Sequence, residues 1–115
     1  MGNISVVGKP ITLTTATGTA AASGDNTLVA APGAGLKIVV HDIQIQLEVV
    51  TATTMLLKSG STTIRRFYAG AAGDGILLTF SSGKEKRLGT NEALILNLSG
   101  ANSTGYTVRY TTEAA

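Results

Sequence analysis

Apolar residues recur at every second position along much of this chain, in short runs separated by Gly, Ser, Asn and Asp. Four runs carry the pattern: Ile11, Leu13 and Thr15; Ile76, Leu78 and Phe80; Leu94, Leu96 and Leu98; and Tyr106, Val108 and Tyr110. This alternation is typical of strands with one buried face, and β-branched and aromatic residues favour that setting. No window of a dozen residues has the spacing of an amphipathic helix. The predicted class is all-β.

The longest predicted strand region, from Leu36 to Val50, changes its buried face part of the way along. Large apolar residues lie at even-numbered positions in the first part, at Leu36, Ile38 and Val40. In the second part they lie at odd-numbered positions, at Ile43, Ile45, Leu47 and Val49. A regular strand cannot exchange faces, so one extra residue must enter near His41 and Asp42. We predict a β-bulge there, or a bend where the strand crosses between sheets.

Glycine-rich turn signals separate the predicted strands from one another. They lie at Pro32–Gly35, Ser59–Ser61, Gly70–Gly75, Ser81–Glu85 and Gly100–Gly105. The resulting spacing predicts about eight strands in an antiparallel two-sheet sandwich of jelly-roll type. We expect one domain in total, with the sandwich over residues 26–115.

The preceding segment, residues 1–25, has a different character. From Ala16 to Asn26 the side chains are small and show no periodicity, so they can bury little apolar area. One interpretation is a long surface loop. The other is an N-terminal arm whose strand, Ile4 to Thr15, pairs with a neighbouring subunit, since strand exchange is a low-cost route to assembly.

Charge is scarce in this sequence of 115 residues. Charged residues make up 14% of the chain, against a typical value of about 25%. Either Ser and Thr solvate the surface, or a partner covers part of it. The net charge is only +2, and the cluster from Lys84 to Arg87 contains its own counter-charge, so no nucleic-acid partner is expected. No apolar run approaches the ~20 residues of a membrane span, so no membrane partner is expected either.

Candidate chemistry is sparse. The single histidine, His41, precedes Asp42, but neighbouring strand residues point to opposite faces and cannot form a catalytic pair easily. There is no cysteine for a zinc site, and the seven carboxylates show no paired spacing. The loop from Gly70 to Gly75 lacks the spacing of a phosphate-binding loop. We therefore predict no enzyme activity, no metal and no cofactor.

The second half of the chain carries a pattern that resembles small virion proteins of tailed bacteriophages. The pattern runs through Leu57–Thr62, Gly75–Phe80, Gly89–Ser99 and Gly105–Tyr110, within residues 27 to 112. The resemblance implies a jelly-roll or related sandwich located in the virion. It also implies a subunit that decorates or cements the capsid, often as a trimer, by contacts with the major capsid protein.

Under that resemblance, residues facing away from the core are candidates for subunit or capsid contact. The apolar candidates are Val39, Leu77 and Ile95, and the polar rim candidates are Arg65, Arg66 and Arg109, although such arginines more commonly lie on a solvated face. An alternative function is a phage tail or fibre module that binds host glycans through loops 70–75 and 100–105.

Overall fold

A computed structural model describes residues 12–115 as two antiparallel sheets packed face to face, and these residues contain no helix. The strands are β1 (Thr14–Ala20), β2 (Gly24–Val29), β3 (Leu36–Leu47), β4 (Thr53–Ser59), β5 (Thr62–Ala69), β6 (Gly75–Thr79), β7 (Lys86–Arg87), β8 (Leu94–Leu98) and β9 (Thr104–Ala114). The predicted all-β sandwich is confirmed. The strand count is nine rather than about eight because β7, two residues long, was not expected.

The strand order is that of a jelly roll. One sheet has the order β1-β9-β3-β6, with β7 also pairing β3, and the other has the order β2-β8-β4-β5. The antiparallel pairs are nested: β1 pairs β9, β2 pairs β8, β3 pairs β6 and β4 pairs β5. Successive pairs alternate between the sheets, as if one long hairpin were rolled over itself.

The core lies between the sheets and consists of the inward residues of each alternating run. Leu94, Leu96 and Leu98 on β8 are buried, and Ile43 and Ile45 on β3 are buried opposite them. Removing each such side chain from water contributes about 1.5–3 kcal/mol. The alternation in the sequence therefore identifies the buried face of both strands correctly.

The predicted irregularity in β3 is a β-bulge at His41. Val40 pairs with Tyr110 and Asp42 pairs with Arg109, so His41 is the extra residue opposite β9. Both halves of β3 stay in the same sheet, which excludes the alternative of a crossing between sheets. On its other side, β3 pairs with β7 before the bulge and with β6 after it.

The interpretation of residues 16–26 as a surface loop is wrong, because most of them lie in strands. Residues 16–20 belong to β1, which pairs with β9, and residues 24–26 begin β2, which pairs with β8. The expected boundary at residue 25 thus falls inside β2. A Cβ at Gly18 would lie 3.0 Å from the Tyr106 hydroxyl, so the Tyr106 ring supplies the bulk that β1 lacks.

The arm interpretation can be followed only at its end. Thr14 and Thr15 pair with Tyr110 and Arg109 of the same chain. The rest of the predicted arm strand, up to Ile11, lies outside the described residues.

Candidate contact surfaces

The residues predicted to make contacts lie on two opposite faces and one edge of the sandwich. We call the outer surface of the five-stranded sheet the front face and that of the four-stranded sheet the back face. Val39, Leu77 and Arg109 belong to the front face, and Ile95 and Arg66 to the back face. Arg65 lies at the edge, beside a groove between the sheets. One flat partner surface cannot touch all six.

Two neighbouring rows of the front face carry no charge. Across the strands, the paired outward residues of the first row are Thr17, Thr107, Gln44 and Leu77, and those of the second are Thr19, Gly105, Gln46 and Gly75. Leu77 is 68% exposed in the middle of β6. These rows form a broad surface of uncharged side chains that ends in Leu77, and the Glu48 carboxylate reaches over the second row beside Gly105.

The next row contains a single internally compensated pair. Arg109 Nε donates a hydrogen bond of 3.0 Å to Asp42 Oδ1, and a second guanidinium nitrogen also meets the Asp42 carboxylate. This hydrogen bond, together with the carboxylate charge, raises the pKa of Arg109 above its ordinary value. Arg109 is therefore already paired within its own chain, and a partner would have to compete with Asp42 for it.

The far end of the front face surrounds a shallow depression of about 470 Å³. Arg87 lines it, with Nε 3.0 Å from Glu113 Oε2 and Nη1 3.8 Å from Glu85 Oε1. Val39 also lines it and pairs with Arg87 of β7. Val39 does face away from the core, but its expected role as an exposed contact needs correction because it is only 3% exposed.

The bulge residue His41 lines the same depression. Its Nε2 lies 3.1 Å from Thr111 Oγ1. Glu85 also lines this depression, and hydrogen bonds from its own backbone N–H and that of Gly83 lower the pKa of the Glu85 carboxyl. The Asp42 carboxylate accepts its hydrogen bond from Arg109 and not from His41, so the two neighbouring residues His41 and Asp42 do not form a hydrogen-bonded pair.

The back face combines apolar side chains with one charged cluster. Tyr68 is 68% exposed, and Ile95 is half-buried between its neighbours on adjacent strands. Lys58 Nζ lies 3.1 Å from Asp25 Oδ1, which also accepts a 2.7 Å hydrogen bond from Asn97 Nδ2. The Asn97 bond, followed by that of Lys58, holds the pKa of Asp25 below its ordinary value.

Loops 70–75 and 100–105, predicted as glycan contacts, meet at the end of β3. Leu47 N donates to Asp74 O at 2.8 Å, and Glu48 N donates to Ser103 O at 2.9 Å. Beside them the front face has a shallow depression of about 250 Å³, with a mainly polar lining that includes Gln44, Gln46 and Glu48. The structure thus brings two separate loops and several polar side chains to one place.

Metal-ligating clusters and membrane-spanning helices are both absent from the part of the chain that the structure describes. In residues 12–115, no group of three or more His, Asp or Glu side chains could hold a metal ion. The described part of the chain also contains no helix that is long and apolar enough to cross a membrane.

Comparison with known proteins adds no relative to this picture. No protein-family model, curated protein or solved structure matches the chain. Any functional conclusion therefore depends on the surfaces described above.

Proposed function

We propose that this protein is a structural subunit of a bacteriophage virion, a homotrimeric decoration or cement protein that stabilises the capsid by contacts with the major capsid protein. The observation that carries the proposal is the pair of rows on the front face whose own side chains are uncharged and which end in the exposed Leu77. Burying a charged group is costly unless it is paired, so a surface whose own side chains are uncharged can be covered by a partner at lower cost. The buried centres of protein interfaces are likewise depleted in charged residues.

Three further features are consistent with this proposal. Jelly rolls are a common architecture of viral capsid domains, although the fold alone does not decide the function. The runs from Gly75 to Phe80 and from Gly89 to Ser99, which resemble phage virion proteins, include β6 and β8. Leu77 and Ile95 are then candidates for subunit or capsid contact on opposite faces, so one face can serve the trimer and the other the shell.

Native mass measurement tests the first half of the proposal. We expect a homotrimer at micromolar concentration, while a chain that remains monomeric at high concentration would contradict it. Co-sedimentation tests the second half. We expect the protein to pellet with assembled heads of the phage that encodes it and not to bind unassembled capsid subunits. A protein that stays in the supernatant in the presence of assembled heads would refute a decoration role.

The second candidate function is glycan binding by a phage tail or fibre module. It is favoured by the polar depression beside loops 70–75 and 100–105, where amide, hydroxyl and carboxylate groups match the hydroxyls of a sugar. A glycan array separates the two candidates. Binding that is lost in Gln46→Ala but kept in Thr27→Ala, a back-face control, would establish this function, and an empty array would remove it.

A further inference from the structure

The carboxylates of this protein are all engaged in internal interactions. Four form ion pairs: Asp25 with Lys58, Asp42 with Arg109, and both Glu85 and Glu113 with Arg87, with Lys37 also near Glu113. Three accept hydrogen bonds from uncharged donors: Glu48 from Ser103, Asp74 from the Gly70 and Ala71 backbone, and Glu92 from Ser59. None of these three forms an ion pair with a described cation.

Four cations among residues 12–115 make no ion pair with any described carboxylate. They are Arg65, Arg66, Lys84 and Lys86, and all four are exposed. Arg65 and Arg66 lie on β5, and Lys86 lines the same groove as Arg65. The uncompensated positive charge of the described chain is therefore concentrated where β5 meets the segment around β7. We call this place, β5 with Lys86, the basic edge.

The groove at the basic edge opens between the two sheets. Its volume is about 220 Å³, and it is lined by Leu57, Ile64, Leu78 and Phe80 together with Arg65 and Lys86. Ile64, Leu78 and Phe80 pack against the core from its margin. A short apolar side chain could enter this groove without displacing any described residue.

β5 itself is an edge strand with capacity for another strand. In the described part of the chain it pairs only with β4, so alternate backbone N–H and C=O groups along its eight residues face outward. Arg65 and Arg66 are consecutive, so their side chains leave the strand on opposite sides. A strand added here would meet one guanidinium on each of its faces.

We propose that the basic edge binds an extended acidic segment of a partner protein, which adds as a strand beside β5. Its carboxylates pair with the Arg65 and Arg66 guanidinium groups, which suit bidentate contacts, and one apolar side chain enters the groove. The inference depends on the proposed function only for assigning that segment to the capsid shell. A nucleic acid would use the same cations but would leave the strand edge and the apolar groove unused.

The probe is a fluorescein-labelled peptide of Glu and Val residues, eight residues long to match β5. Titration into the isotope-labelled protein should shift the backbone amide signals of residues 62–69 in the NMR spectrum. Two control peptides should leave those signals unchanged. One has Lys in place of every Glu, and the other is N-methylated along its backbone, so it cannot pair as a strand. Shifts spread over all basic residues, or equal binding of the N-methylated peptide, would overturn the proposal.

Two matched variants change the net charge equally. Arg66→Gln should weaken peptide binding by about tenfold, which corresponds to a loss of about 1.4 kcal/mol. Thr27→Glu, on β2 at the opposite edge of the same sheet, also lowers the charge by one and should leave the affinity unchanged. Equal effects of both would show that only net charge matters, and the strand-addition inference would then fail.

Two further measurements separate this inference from competing outcomes. A labelled single-stranded oligonucleotide that competes with the peptide at equal strength would favour nucleic acid and overturn the inference. Co-sedimentation with phage heads separates it from the proposed function. If phage heads bind the Arg66→Gln variant as strongly as the parent protein, only the proposed binding at the basic edge is contradicted. If the protein binds the peptide but not the heads, only the decoration role is contradicted.

Discussion

At the scale of single residues, the pairing of β3 with β6 depends on the absence of a side chain at Gly75. A Cβ built there would overlap the backbone carbonyl oxygen of Ile45 and lie 2.9 Å from Cα of Gln46. Both are backbone atoms of the central strand β3, so they cannot rotate away as a flexible side chain would. The strand would have to shift instead.

We therefore expect Gly75→Ala to lower the free energy of unfolding by about 1–3 kcal/mol, as overpacking usually does. The measurement is a urea denaturation curve. Gly70→Ala is the matched control, because its Cβ would meet only side-chain atoms, the Tyr68 ring at 3.3 Å and Asp74 Oδ2 at 3.7 Å, and the backbone there is not left-handed. Equal midpoints for the two variants would show that β6 adapts freely.

A second single-residue effect concerns the pKa of Asp25. This pKa lies below the ordinary value of ~3.9 because the charged form accepts hydrogen bonds from Asn97 and Lys58 in the folded state. The unfolded chain then binds the proton more readily. The stabilising contribution is thus present above the ordinary value and is lost as the pH falls through the lowered one.

In Asn97→Ala, we expect the pKa of Asp25 to rise towards its ordinary value, since the largest cause of the shift is removed. Carboxyl NMR titration measures this directly. The pKa of Glu85 serves as an internal control, because backbone donors lower it and Asn97 takes no part. A shared change of both values would point to a global rearrangement instead.

At the scale of elements, the bulge at His41 decides which face of β3 enters the core. Residues before it bury Ile38 and Val40, and residues after it bury Ile43 and Ile45. Deleting His41 should restore a regular strand and turn Ile38 and Val40 outward. The loss, about 3–6 kcal/mol at 1.5–3 kcal/mol per side chain, is comparable to the whole stability of many domains.

Circular dichroism and thermal unfolding should therefore show an unfolded or strongly destabilised His41 deletion. His41→Ala keeps the extra residue and should remain folded, losing only the Thr111 contact of the imidazole. If the deletion variant unfolds at the same temperature as His41→Ala, then β3 can be realigned without cost and the bulge is dispensable.

The bulge was predictable from the sequence, whereas β1 was not, and the difference is physical. Six large apolar residues of β3 lie at even positions before the bulge and at odd positions after it, so their pattern alone reveals the extra residue. The inward positions of β1 are filled by small residues, including Ala16, Gly18 and Ala20, and Tyr106 of β9 supplies much of the contact. A strand whose bulk comes from its neighbour leaves no periodic signal of its own.

The contact residues show the same limit. The alternation of inward and outward residues along each strand correctly predicts that Leu77 and Ile95 point away from the core. It could not tell that they lie on opposite faces, because that depends on which strands pair over long distances. Nor could it show that Val39 is buried on the front face, where its strand neighbour is Arg87 of the distant segment β7.

At the scale of the whole molecule, the proposed assembly places Leu77 in a subunit interface. We expect Leu77→Asp to weaken self-association by about 2 kcal/mol per subunit, because a buried leucine would be replaced by a charge. Sedimentation velocity over a concentration series measures the shift. Val50→Asp is the matched control, since Val50 is 82% exposed in the connection between β3 and β4. An equal effect of both variants would show that the two uncharged rows of the front face do not lie in the interface.

The nested order of the strands also constrains how this chain folds during its synthesis. β9 lies between β1 and β3 in the five-stranded sheet, yet it is the last of the nine strands to leave the ribosome. Until then, one edge of β3 lacks the strand that pairs with it along its whole length, while β4 and β5 can already form a local hairpin. We therefore expect slow, late folding, governed by contacts between distant parts of the chain, and a nascent form that is prone to aggregation.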